Sequence, residues 1–134
     1  MLFPNRTKFK KTFKGSITGN TIRGSKIIYG DFALKSLENN RITSKQIEAA
    51  RRAITRKMKR LGYLWIRIYP CVPITSKGKG SRMGKGKGSV DHWVFNVKSG
   101  QILFEICGVS LESAKNAFKS GSNKLPVKTK IIQK

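Results

Sequence analysis

The strongest hydrophobic pattern in the chain is a single apolar stripe at spacings of three and four residues. It runs through Ile47, Ala50, Ile54, Met58 and Leu61. Such spacing places all five side chains on one face of a helix. Thr43 and Gln46 stand just before the stripe with the spacing of a capping box, and Gly62 follows it as a stop signal. The pattern therefore predicts a helix that begins after Thr43 and ends near Gly62.

Alternating and short apolar runs elsewhere predict strands. One strand with a bulge, or two short strands, is expected within residues 26–37, followed by a turn at Asn39-Asn40. Further strands are expected at residues 63–69, 72–75, 90–98, 101–107 and 125–132. Ser99-Gly100 resembles a two-residue hairpin turn, so we expect 101–107 to return antiparallel to 90–98.

A second helix is predicted over residues 111–120, between Ser110 as its cap and Gly121 at its end. Its inward positions are Leu111, Ala114, Ala117 and Phe118. Together the elements predict an α+β fold in one domain over residues 1–134, with two helices packed on a mainly antiparallel sheet. We expect residues 1–25 to form an extended basic arm with one or two short strands, and residues 77–89 to form a long loop rich in glycine and lysine.

The net charge of the chain indicates what kind of partner it binds. There are 29 Lys and Arg against 6 Asp and Glu, a formal net charge of +23. Repulsion among these positive charges destabilises the folded protein when it is alone, and this implies a polyanionic partner. Nucleic acid is the leading candidate, with an anionic membrane surface second. No apolar run approaches the length of a membrane span.

Three segments concentrate the candidate RNA-binding residues. In the arm they are Arg6, Lys8, Lys10, Lys11, Lys14 and Arg23. On the predicted first helix they are Lys45, Arg51, Arg52, Arg56, Lys59 and Arg60. In the loop they are Arg82, Met83, Gly84, Lys85, Gly86, Lys87 and Gly88.

Each segment also has a simpler interpretation. The loop resembles a solvated Gly/Lys linker, the helix face a solvated surface, and the arm a mitochondrial presequence. The absence of alternating acids on the helix face favours phosphate contact, because like charges repel at i,i+4. Glycine in the loop lets the backbone press closely against an uneven polyanion. Folded RNA is therefore the expected ligand.

Motifs for nucleotide hydrolysis, catalysis and metal binding are not found. The loop fits neither the phosphate-loop nor the dinucleotide spacing. His92 stands beside Asp91, but strand neighbours point to opposite faces, so we expect the two not to meet. Six scattered acids predict no catalytic carboxylate pair, no metal and no cofactor, so the chain is not expected to be an enzyme. Cys71 and Cys107 are expected to be buried, reduced thiols in a reducing compartment.

Several motifs occur together in one order along nearly the whole chain. They are PNRTKFKK at residues 4–11, ITSKQIEAARRA at 42–53, WIR at 65–67, PIT at 73–75, RMGKGKG at 82–88 and KLP at 124–126. In these motifs the chain resembles the universal family of large-subunit ribosomal protein sixteen, in its bacterial and organellar form. It departs from the family in having Cys71 where an aspartate is expected, and in the glycine and lysine content before Arg82.

The resemblance implies an α+β fold that binds large-subunit rRNA near the peptidyl-transferase region and helps to shape the aminoacyl-tRNA site. It also implies neighbouring large-subunit proteins as partners, no membrane and no homo-oligomer. The match begins at the first methionine, so no cleaved presequence is expected. Residues 100–110 resemble mitochondrion-encoded relatives, which favours the mitochondrial matrix over a plastid or the bacterial cytoplasm. The competing hypothesis is a free-standing protein that compacts nucleic acid or regulates translation.

Overall fold

The structure, a computed structural model, describes residues 2–134. Its elements are β1 (Phe32–Ser36), β2 (Asn40–Thr43), α1 (Ser44–Lys57), β3 (Tyr63–Ile66), β4 (Val72–Ser76), β5 (Ser89–Val97), β6 (Ile102–Cys107), α2 (Leu111–Ser122) and β7 (Thr129–Gln133). Every pairing between these strands is antiparallel. The predicted α+β class, with two helices and antiparallel strands, is therefore confirmed.

The strands form two sheets rather than one. Their orders are β3-β6-β1-β7 and β2-β5-β4. The predicted hairpin between β5 and β6 is wrong, since β6 pairs with β1 and β3. The Gly100 N–H donates to the Ser36 carbonyl, and the Ser36 N–H donates to the Gln101 carbonyl. The turn therefore carries the chain from one sheet to the other.

The start of α1 is as predicted and its end is not. The Gln46 N–H donates to the Thr43 hydroxyl at 3.2 Å, and the Thr43 N–H donates to Gln46 Oε1 at 2.9 Å. The helix ends at Lys57, because Lys59 and Arg60 adopt φ values of 53° and 63°. Consequently Leu61 is 64% exposed and leaves the apolar stripe.

The core lies between the two helices and the inner faces of the sheets. Ile47 and Ile54 of α1, Phe118 of α2 and Phe104 of β6 are all fully buried. Gly121 lies inside α2 instead of ending it. A Cβ at Gly121 would stand 2.5 Å from Ile54 Cγ1, so glycine allows the two helices to pack closely there.

The segments on either side of β1 also differ from expectation. Residues 26–31 form no strand, because the N–H groups of Tyr29 and Gly30 donate to the Glu105 carboxylate instead of a neighbouring strand. The turn expected at Asn39-Asn40 is not found there, because Asn40 is already the first residue of β2, which pairs with β5. Within the described part of the arm, residues 2–25, the one bridge is Asn20 to Ser99, so the short strands expected there are absent.

Candidate nucleic-acid interface

The basic arm and the glycine-lysine loop, far apart in sequence, contact each other directly. Lys11 Nζ donates to the Lys87 carbonyl at 3.0 Å, and Lys87 Nζ donates to the Thr12 carbonyl at 2.5 Å. Lys87 Nζ also lies 5.8 Å from the centroid of the Phe13 ring. We call this the arm–loop contact. It joins two segments that both lack acidic residues.

The arm is also tied to the second sheet. Arg41 of β2 donates through Nη2 to the carbonyls of Lys14 and Gly15, at 3.0 and 2.7 Å. Further along, the Thr21 N–H donates to the Ser99 carbonyl at 2.8 Å. Arg23 lies beyond this point, where its carbonyl accepts from the Thr21 hydroxyl. Of the candidate cations in the arm, Lys11 takes part in the arm–loop contact, whereas Arg23 does not share it.

The loop has a backbone that few sequences could adopt. Gly84, Lys85 and Gly86 take successive φ values of 93°, 55° and 85°, and glycine reaches this region at little cost. Lys77 Nζ donates to the Gly84 carbonyl at 2.8 Å. Together with their neighbours, these residues surround an open hollow of about 660 Å³. The loop is therefore curved around its own backbone and is not a straight linker.

The tip of the loop points away from the rest of the protein. Met83 is 93% exposed, and a Cβ built at Gly84 or Gly86 would meet no atom within 4 Å. Gly88 differs, because its Cβ would overlap the Ser76 carbonyl. Glycine is required at position 88 for space and at 84 and 86 for conformation. The surface around Arg82 is thus free to meet a ligand.

The candidate cations of α1 differ in their exposure and in their partners. Lys45, Arg52 and Arg56 are exposed. Arg51 is held by Glu48, with Nε to Oε2 at 2.8 Å and Nη2 to Oε1 at 2.6 Å, and Arg52 Nε lies 3.1 Å from the same carboxylate. The expectation of a face without acids was therefore wrong, since Glu48 neutralises part of it. Lys59 and Arg60 are exposed but lie beyond the helix.

The charge of Glu48 persists far into the acid range. Hydrogen bonds from Arg51 lower the pKa of Glu48 to about 2, with burial opposing and Arg52 assisting. The ionised Glu48 carboxylate holds the Arg51 side chain against the surface of α1. The exposed phosphate-binding candidates of α1 are thus Lys45, Arg52 and Arg56.

Asp91 and His92 do meet, contrary to expectation. His92 Nδ1 lies 2.7 Å from Asp91 Oδ2. Ile74 pairs with His92 and Thr75 with Val90, so Asp91 is an extra residue that breaks the alternation of the strand. Within residues 2–134, no group of three or more His, Cys, Asp or Glu could hold a metal. Cys71 and Cys107 are free, but Cys71 is exposed and Cys107 is only partly buried, so the expectation of buried thiols was wrong for Cys71 and is met only in part by Cys107.

One charged site was missed by sequence reasoning. Glu105 is fully buried in β6, where it pairs with Arg67 and accepts the N–H groups of Tyr29 at 2.7 Å and Gly30 at 2.9 Å. Burial alone would raise the pKa of Glu105, but these N–H groups and the Arg67 charge outweigh it and lower the pKa. A glutamate inside the apolar run ILFEIC was the available signal.

Comparisons with known proteins show the family of this chain. A family model described as Ribosomal protein L16p/L10e matches residues 4–132. The large ribosomal subunit protein uL16 of Mesorhizobium japonicum is 56% identical over 134 residues, covering 100% of this chain and 98% of that protein. The proteins of the same name from Chelativorans sp. and Hyphomonas neptunium are 55% and 54% identical, covering all of this chain and 98% and 97% of their own lengths. The chain therefore belongs to the ribosomal protein L16p/L10e family, whose members are structural proteins of the ribosome and not enzymes.

Proposed function

We propose that this constituent of the large ribosomal subunit binds rRNA mainly through phosphates, on a surface built from the arm, the loop and the exposed cations of α1. The arm–loop contact is the observation that carries the proposal. It joins the arm and the loop through lysine-to-carbonyl hydrogen bonds, so two cationic segments without acids share one surface, which favours a polyanionic ligand there. Backbone phosphates supply such charge without demanding a particular sequence.

The loop tip is proposed to reach the peptidyl-transferase region and to help shape the site for aminoacyl-tRNA. In support, Met83 is 93% exposed, and all of residues 76–87 are exposed. An arginine suits a tip position, since its planar fork grips phosphate through two bonds and stacks on bases. The arm and the α1 face would then anchor the protein to rRNA during assembly, and Arg82 would act at the aminoacyl-tRNA site of the assembled subunit.

The remaining partners follow from the family. Ribosomal RNA and neighbouring ribosomal proteins are implied by membership, and we propose that the chain acts there as a single copy. No helix within residues 2–134 is long and apolar enough to cross a membrane. Family membership also weakens the alternative of a free-standing nucleic-acid-compacting or translation-regulating protein.

The compartment proposed from sequence needs revision. The relatives named above are bacterial, so the expected mitochondrial location receives no support from them. We therefore propose a bacterial-type large subunit as the setting, with the bacterial cytoplasm as the compartment.

Substitution of Arg82 separates assembly from function. We expect Arg82→Ala subunits to contain a normal amount of the protein, because the arm and helix contacts remain. Accommodation of aminoacyl-tRNA and peptide-bond formation should be slow, since the bidentate contact at the tip is lost. Subunit occupancy is measured by sedimentation, and the two rates are measured on purified ribosomes.

Two further variants serve as controls. Lys79→Ala removes the same charge from the same loop and should leave the rates near wild type. Arg82→Lys keeps the charge but not the planar fork and should remain slow. Normal rates for Arg82→Ala at full occupancy would reduce Arg82 to an ordinary phosphate anchor.

A further inference from the structure

A cluster of aromatic rings lies on the outer face of the edge strand β3, on residues not included in the interface above. Tyr63 and Trp65, two residues apart on one face, have ring centroids 6.1 Å apart. Tyr29 stacks on Trp65 at 6.0 Å with an interplanar angle of 24°. Tyr29 is 59% and Tyr63 70% exposed. We call these three residues the aromatic platform.

The platform is fixed from below by the buried Glu105. The Glu105 carboxylate accepts the N–H of Tyr29 at 2.7 Å and pairs with Arg67. Arg67 in turn lies 5.2 Å from the centroid of the Tyr29 ring. A Cβ at Gly30 would stand 2.6 Å from the Ile106 carbonyl, so glycine lets this segment press against β6. The ring of Tyr29 is thereby positioned before any ligand arrives.

Cations near the platform residues in sequence favour a nucleic acid as its occupant. Lys26, Lys59 and Arg60 are exposed and lie within four residues of Tyr29 or Tyr63 along the chain. Glu105 beneath the rings is buried and paired with Arg67, and the exposed acid near Tyr29 in sequence is Asp31. Flat exposed rings with cations beside them are what proteins use to stack unpaired bases while holding the adjoining phosphates.

We propose that the aromatic platform stacks one unpaired nucleobase of the large-subunit rRNA. The proposal rests on the rRNA binding proposed above and adds a contact of a different kind, to a base rather than to phosphates. An unpaired base is required, because bases within a duplex are already stacked on their neighbours. A neighbouring protein on the same face is the competing occupant.

The test uses the full chain with Trp93→Phe, which leaves Trp65 as its one tryptophan. Two RNA hairpins are compared, identical except that one carries a single bulged adenine. We expect the bulged hairpin to quench Trp65 fluorescence and to bind more tightly than the paired hairpin. Tyr63→Ala should weaken binding of the bulged hairpin by about tenfold, because stacking on one aromatic ring is lost.

Two controls separate the stacking proposal from phosphate binding. Tyr63→Phe keeps the ring and should retain the preference, and Tyr63→Ala should bind the paired hairpin as wild type does. Equal binding of both hairpins without quenching, alongside a steep salt dependence, would overturn the platform and leave the proposed rRNA binding intact. Failure of wild type to bind either hairpin would overturn both proposals.

Discussion

Replacement of Glu105 by glutamine is expected to lower the free energy of unfolding by about 3 kcal/mol. The carboxylate is fully buried, and its partner Arg67 has a side chain only 13% exposed. Removing one member of a buried ion pair typically costs about 3–5 kcal/mol, since the other charge stays buried without a partner. Glutamine keeps an acceptor oxygen for the Tyr29 and Gly30 N–H groups, which places the cost at the lower end.

Urea unfolding followed by circular dichroism at neutral pH measures this free energy. For a chain of this length the expected cost corresponds to a fall in Tm of about 10 °C. The matched control is Glu112→Gln, which removes an exposed carboxylate from the first turn of α2 and should cost less than about 1 kcal/mol. The double variant Glu105→Gln/Arg67→Met should be more stable than the sum of its single changes predicts.

The same variant has a defined pH signature. Because the pKa of Glu105 is lowered in the folded state, its stabilisation is present above the ordinary glutamate pKa and is lost as the pH falls through the folded value. The difference in stability between wild type and Glu105→Gln should therefore shrink as the pH falls below about 4. A cost below about 1 kcal/mol at pH 7, or a difference that does not change with pH, would refute this account of the ion pair.

Three further predictions concern the interface. The double reversal Arg52→Glu/Arg56→Glu should cost little stability, because both side chains are exposed and the Arg52–Glu48 ion pair that it removes lies at the surface, yet it should prevent incorporation into the subunit. The matched reversal Lys115→Glu/Lys119→Glu on α2 should incorporate. Normal sedimentation of both variants would show that the α1 face is solvated and does not contact rRNA. Gly88→Ala should displace the base of the loop, because its Cβ would overlap the Ser76 carbonyl, and should therefore slow aminoacyl-tRNA accommodation. The control Gly78→Ala, whose Cβ would meet only Ser81 Oγ at 3.5 Å, should leave the accommodation rate unchanged. If six to ten phosphates are bound, rRNA affinity should fall by about three to five orders of magnitude between 50 and 200 mM salt, and a shallow slope in a filter-binding titration would count against phosphate contact.

Local patterns predicted the starts of the helices well, and the helix ends and strand partners poorly. The capping box of α1 involves Thr43 and Gln46, three residues apart, so the sequence contains all of its parts. The strands that pair with β6 are β1 and β3, which lie far from it in sequence. A turn signal at Ser99-Gly100 does not specify which sheet the chain enters after the turn. Lys59 and Arg60 adopt left-handed φ values, so α1 ends before Gly62, where the sequence predicted its end.

The candidate site was predicted as separate segments, and its assembly was not. The cations of the arm and loop stand out by composition, but Lys11 and Lys87 meet across 76 positions of sequence. The bulge at Asp91 depends on the register of β4 against β5, which no local pattern reports. Glu105 holds residues 28–30 through hydrogen bonds between positions far apart in sequence. For this reason residues 26–31 form a loop where the sequence predicted a strand.

Crosslinking from the loop tip tests the central claim most directly. A photoreactive amino acid at Met83, which is 93% exposed, is incorporated into the protein, assembled into large subunits and irradiated with and without aminoacyl-tRNA. We expect crosslinks to rRNA nucleotides of the peptidyl-transferase region, and to the tRNA when it is present. Crosslinks confined to peripheral rRNA or to other proteins, in subunits that contain the protein at full occupancy, would contradict the proposal that this loop reaches the functional centre.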